Sequence, residues 1–157
     1  MNMKKVNLDT WLQLLGMTGV LSGLVFVGLE LQQSQRIAIA EQQQARAAAS
    51  MSLLNSFIES GIDHQSVMWE ENFDYDYSEA EIAFRNNHHS VWYVYENDFY
   101  QYTQRLMDES TWLAKLAGIE RIYNMCSGRE IYNRRAPIFQ KNLEQSLNPY
   151  LTNVDSR

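Results

Sequence analysis

Residues 11–29, WLQLLGMTGVLSGLVFVGL, carry no charge, and the polar run ELQQSQRIAIAEQQQ follows with no proline or turn residue at the changeover. At the rise of an α-helix the apolar run spans roughly 28 Å, about one hydrocarbon core. The pattern predicts a helix that crosses a membrane, with a buried helix of a soluble core as the alternative. Neither Pro nor Gly occurs between positions 30 and 60, where Ala, Gln, Glu, Arg, Leu and Met dominate, nearly all strong helix formers. With Asn7 or Asp9 as a cap and Gly61 as a stop, one continuous helix of about fifty residues, roughly 75 Å long, is expected.

Read in sevens, that helix carries a stripe. Gly16, Gly23, Glu30, Ile37, Gln44, Met51 and Ile58 share one position, and Leu12, Gly19, Phe26, Gln33, Ala40, Ala47 and Leu54 share another. Gly19 and Gly23 form a GxxxG pair, which lets membrane helices approach closely. Beyond the apolar run the stripe resembles a coiled-coil seam. The expectation is a homo-oligomer joined through Gly16, Gly19, Gly23, Phe26, Ile37, Ala40, Ala47, Met51 and Leu54. The competing explanation is that the lower stripe packs on the chain's own remaining domain. If four or more copies assemble, Glu30, Gln33 and Gln44 on the same stripe are candidate pore-lining residues, and a carboxylate ring favours cations.

The second part of the chain, residues 62–157, reads as an acidic all-α domain of about five short helices. HQSVMWEEN suggests a short helix, FDYDY a loop, and SEAE at 78–81 a capping box that opens a helix running to about Met107. Along it Trp92, Tyr95, Phe99, Tyr102 and Leu106 recur at spacings of three and four, an apolar face. Asp108 can cap TWLAKLAGIERIYNM; Ser127 and Gly128 break that helix before REIYNRR. Pro137 fits the first turn of a last helix ending near Leu147.

Charge narrows the partners. The formal net charge of -6 lies entirely in residues 61–157, because residues 1–60 hold as many basic as acidic side chains. An acidic chain without a basic stripe is not built for nucleic acid, so the expected partners are the lipid bilayer and further copies of the chain. Lys4 and Lys5 on one side of the apolar run balance Arg36 and Arg46 on the other, and the positive-inside rule gives a tie. AIA at 38–40 imitates a signal-peptidase site, but it lies far beyond the apolar run, so an uncleaved anchor is expected. Cys126, the single cysteine, excludes an intramolecular disulfide and multi-cysteine metal sites and reads as a small buried hydrophobe.

Candidate chemistry is sparse. An EF-hand begun at Asp74 would place Glu79 where glycine is needed and Arg85 where glutamate is needed. His88 and His89 are adjacent in a helix and point about 100° apart, so they cannot chelate one ion and read as a solvated surface; His64 has no ligand spacing. No catalytic, cofactor-binding or metal residue is assigned, and the chain is not expected to be an enzyme. The one polar constellation is Glu96 with Tyr100 one turn on, for which Arg121, Arg129 and Arg135 offer ion-pair partners from later helices.

Tyr95-Glu96-Asn97, Tyr100-Gln101-Tyr102, Trp112 and Gly128-Arg129, behind an apolar segment, resemble a widespread, uncharacterised group of small bacterial membrane proteins; the junction LELQQSQR departs from the group's pattern in having fewer early basic residues. The match spans almost the whole chain. It implies one amino-terminal transmembrane helix (1–61, including its extramembrane continuation), an all-helical carboxy-terminal domain, and a place in the bacterial inner membrane with that domain cytoplasmic. It implies no activity. The function these readings favour is a membrane-anchored, self-associating protein with a structural or interaction domain; a cation-permeable homo-oligomeric channel is the alternative.

Overall fold

The computed structural model describes residues 7–139 and 141–151. Six α-helices follow in order, and no strand occurs among the described residues: α1 (Leu8–Ser60), α2 (His64–Met68), α3 (Glu79–Thr103), α4 (Glu109–Tyr123), α5 (Cys126–Arg135) and α6 (Lys141–Leu151). A 3-10 turn, Ala136–Ile138, precedes α6. The chain divides into two compact units, Met1–Ile39 and Ala40–Arg157, and the division falls inside α1.

The first unit is α1 alone. The Asn7 carbonyl accepts from the amides of Thr10 and Trp11 at its start, and every residue from 8 to 35 is exposed. Thr18 turns its hydroxyl back to the Leu14 carbonyl at 2.8 Å, so this polar group is satisfied within the helix itself. By length and hydropathy α1 can cross a membrane.

In the second unit the remainder of α1 buries Ala40, Ala47 and Leu54, seven residues apart and so on one face. Their cover is the chain's own domain, from which Gln101 of α3 donates to the Ala40 carbonyl at 3.1 Å. Three of the nine residues of the expected oligomer seam are thus covered within the chain. Gly61, at φ +67°, ends α1. Its amide donates to the Ile58 carbonyl and that of Ile62 to the Phe57 carbonyl, the paired bonds of a Schellman motif that needs a left-handed residue here.

The same motif ends α3 earlier than the apolar spacing suggests. Arg105 takes φ +59°, its amide bonds the Tyr102 carbonyl and that of Leu106 the Gln101 carbonyl. An arginine in the position usually held by glycine hides the stop, and Leu106, expected on the core face, is exposed beyond it. The capping box at Ser78 and the Asp108 cap both form as read. Two later boundaries differ. The chain breaks at Asn124 and Met125, not at Ser127 and Gly128, and Cys126 opens α5 as an exposed residue, not a buried one. Pro137 lies in the 3-10 turn, and α6 starts later and runs to Leu151.

Trp92 is fully enclosed between Tyr132 and Phe139, while Trp112 stacks on Tyr102 with ring centroids 5.4 Å apart. Leu143, Leu147 and Leu151 close the core from α6 at helical spacing, each contributing roughly 1.5–3 kcal/mol by leaving water. Gly128, inside α5, sits where an added Cβ would collide with the Ile122 backbone carbonyl, so it serves a close approach and not a break. Gly118→Ala meets only the Tyr95 hydroxyl, the movable end of a side chain, at 2.8 Å. Alanine gains about 1 kcal/mol over glycine in a helix, which offsets that displacement but not a backbone collision of about 1–3 kcal/mol or more. Urea unfolding of the full chain in detergent is therefore expected to show Gly118→Ala near wild type and Gly128→Ala clearly destabilised.

Candidate functional site

The polar groups of this domain converge on the segment that leaves α1. Asp63 is fully buried. Its carboxylate caps α2 through the Ser66 amide at 2.8 Å and accepts from Arg85 Nε at 2.8 Å and Nη2 at 3.3 Å. Asn86, next on α3, accepts from the His64 amide and donates to the Ile62 carbonyl, at 2.9 and 2.8 Å. One turn further His89 lies against Gln65. Positions 85, 86 and 89 share a helix face, so three consecutive contacts fix residues 62–66 on α3.

Burial alone would raise the Asp63 pKa, but the hydrogen bonds from Arg85 and Ser66 outweigh it and hold the carboxyl below its ordinary value. Arg85 is completed by the Tyr77 ring, 4.5 Å from its guanidinium carbon, and by Glu130 at 3.7 Å. Tyr77, Phe84, Arg85, Ser127 and Glu130 border an open groove of about 490 Å³ above this pair.

His64 and His89 form the centre of an aromatic cluster. Their rings lie 5.2 Å apart, Trp69 stands edge-on to both, and Phe57 from the end of α1 stands edge-on to His64 at 5.1 Å. The histidines are therefore not a solvated surface: His89 is fully buried, and His64 and His88 nearly so. The apolar spacing counted from Trp92 continues upstream through Ile82, Arg85, Asn86 and His89, and these polar side chains occupy core positions because residues 62–66 offer them partners: the Asp63 carboxylate for Arg85, backbone groups for Asn86 and the Gln65 side chain for His89. A count restricted to apolar residues misses this half of the face; the regular three-and-four spacing was the available signal.

The expected Glu96 constellation is only partly assembled. Arg135, fully buried on α5, donates from Nη2 to Glu96 at 3.1 Å and lies 4.1 Å from the Tyr93 ring centre. Burial raises the Glu96 pKa against the pull of Arg135. Arg121 is exposed, and Arg129 instead donates to the Tyr123 carbonyl and covers that ring. Tyr100 is half-buried. Glu96 is thus engaged in an ion pair, as Asp63 is, and neither carboxylate is an uncommitted acid or base.

Of the other singled-out residues, Gly16, Gly19, Gly23 and Phe26 are exposed in the first unit, with Glu30 and Gln33 beside an open groove that includes Ile37. In the second unit Gln44 is exposed and Met51 half-buried. Among the described residues no group of three or more His, Cys, Asp or Glu side chains is placed to hold a metal ion.

Removing one partner of a buried ion pair leaves a buried charge and costs about 3–5 kcal/mol, whereas an exposed partner at long range is worth under about 1 kcal/mol. Arg85→Met is therefore expected to lower the unfolding free energy by about 3–5 kcal/mol, and Glu130→Gln, whose side chain is 56% exposed, to leave it nearly unchanged in the same denaturant titration. No protein-family model, curated protein or solved structure matches this chain.

Proposed function

We propose that this is a single-pass membrane protein that self-associates through the membrane-embedded part of α1 and carries an acidic helical domain as a structural or interaction module. The observation that carries the reading is the apolar face of the first unit. Leu12, Leu24 and Phe26 are each about three-fifths exposed, at 60%, 64% and 61%. Each large apolar side chain left in water forfeits roughly 1.5–3 kcal/mol, and more than ten such side chains line this stretch. A bilayer removes that cost, and a helix brings its backbone groups already paired.

Self-association is confined in this reading to the glycine stripe. In the lower stripe Ala40, Ala47 and Leu54 are buried within the chain, so the periodicity of that position is accounted for without a second chain. Gly16, Gly19 and Gly23 have no such account: an added Cβ at any of them meets nothing within 4 Å. Glycine costs about 1 kcal/mol per residue in a helix, and close approach of another helix would repay it. A place in the bacterial inner membrane with the domain in the cytoplasm follows from the resemblance alone.

Because space around these glycines is open within the chain, Gly19→Leu and Gly23→Leu leave the monomer intact and report on association only. Each is expected to weaken it by roughly tenfold, about 1.4 kcal/mol, in single-molecule subunit counting in nanodiscs, while Leu21→Ala has little effect. Equal effects from all three variants, or a monomer throughout, would remove self-association from the proposal. A count of two excludes a lumen and with it the channel alternative; a count of four or more would restore it.

A further inference from the structure

We propose that the His64–His89 pair is an acid-sensitive latch, which ties residues 62–70 to α3 while both rings are neutral and releases them when the rings take up protons. The tautomer of His89 follows from the hydrogen bonds. Gln65 uses its amide nitrogen to donate to Glu70 at 2.8 Å, so it presents its oxygen to His89 Nε2 at 3.2 Å. That nitrogen therefore carries the proton, and Nδ1 of His89 is a bare lone pair. The Nδ1 atoms of His64 and His89 are both buried with no hydrogen-bond partner among the described residues. A proton added at Nδ1 of His89 would enter a buried site beside Trp69 and the His64 ring, and a charged His64 would sit among Phe57, Trp69 and His89.

The charged groups around the pair favour the neutral state. Asp63 attracts a proton toward both rings, but its oxygens are engaged by Arg85 and Ser66. Glu70 is engaged by Gln65 and by Arg134 from α5 at 3.1 Å, and Glu96 by Arg135. Arg135, also on α5, and Arg85 on α3 oppose charge on His89, and Arg135 opposes it on His64. Burial, then Arg135, keeps the His64 pKa below its ordinary value and brings His89 down to about 3.

The direction of the response follows. Above the ordinary histidine value of about 6.5 both rings are neutral whether latched or released, and acid has no effect. Below it the released segment binds protons that the latched one excludes, so the equilibrium moves toward release by about tenfold per pH unit for each excluded proton. For His89 this continues down to about pH 3. The latch joins the end of α1, through Phe57, to α2 and α3, so its release frees the connection between the long helix and the domain. The inference does not depend on the membrane reading, since every group in it belongs to the second unit.

The test is hydrogen–deuterium exchange on the full chain in detergent micelles, corrected for intrinsic exchange rates. Protection of residues 62–70 is expected to fall roughly thirtyfold between about pH 7.5 and about pH 5 for His89 alone, and further with His64. In the double variant His64→Gln, His89→Gln the fall is expected to disappear. Protection that does not change with pH, or that falls equally in the double variant, would overturn the proposal and, in the second case, assign the effect to carboxylates such as Glu96. Ring-carbon NMR of wild-type histidines decides the matter if the double variant does not fold. His64 and His89 rings that stay neutral until the segment opens support the latch, and ordinary titration of these two rings in the folded chain contradicts it.

Discussion

A carboxylate with no access to water has to be matched by fixed donors, and the geometry of residues 62–66 follows from how Asp63 meets that requirement. Arg85 supplies the charge and the Ser66 amide the third hydrogen bond. The cap starts α2, the arginine places α2 on α3, and Asn86 secures the chain on either side of Asp63. Buried ion pairs are weak sources of net stability but strong constraints on arrangement, because every alternative leaves a charge unpaired. Here the constraint acts directly after the left-handed turn at Gly61, where the long helix gives way to the domain.

That helix meets two environments along one uninterrupted backbone. From 8 to 35 no side chain is buried, while from Ala40 onward one residue in each heptad is. The sevenfold repeat runs through both parts, yet it has two physical origins. In the upper part the repeat is made of glycines with open space around them, and in the lower part of small and aliphatic residues that the chain's own domain covers. Agreement in phase across the seam at Glu30 is a weaker argument for a continuous oligomer contact than it looks in the sequence.

What was legible in the sequence depended on strictly local chemistry. The unbroken α1, its stop at Gly61, the capping box at Ser78 and the Asp108 cap are written in residues within four positions of where they act. The end of α3 was not, since Arg105 adopts a conformation that glycine usually marks. Gly128 misled in the opposite sense, because its missing side chain answers a packing demand from Ile122 across a turn. The polar cluster was the least legible feature. His64, Arg85, Asn86 and His89 are buried because of one another and of Asp63, contacts separated by more than twenty positions, and no local rule reports such pairings. Glu96 and Arg135 were found as candidates because a carboxylate among aromatic residues needs a cation, although which of three arginines supplies it depended on the fold.

The division of α1 into a lipid-facing and a domain-facing part is the central claim, and single-cysteine labelling tests it most directly. In a Cys126→Ser background, cysteines placed one at a time at 15, 21 and 25, and at 42, 48 and 52, would be exposed to a water-soluble maleimide in liposomes opened to both sides. The account predicts that the first three remain unreactive until detergent dissolves the bilayer, whereas the second three, all on exposed positions outside the apolar run, react at once. Rapid labelling at 15, 21 and 25 in intact bilayers would contradict it.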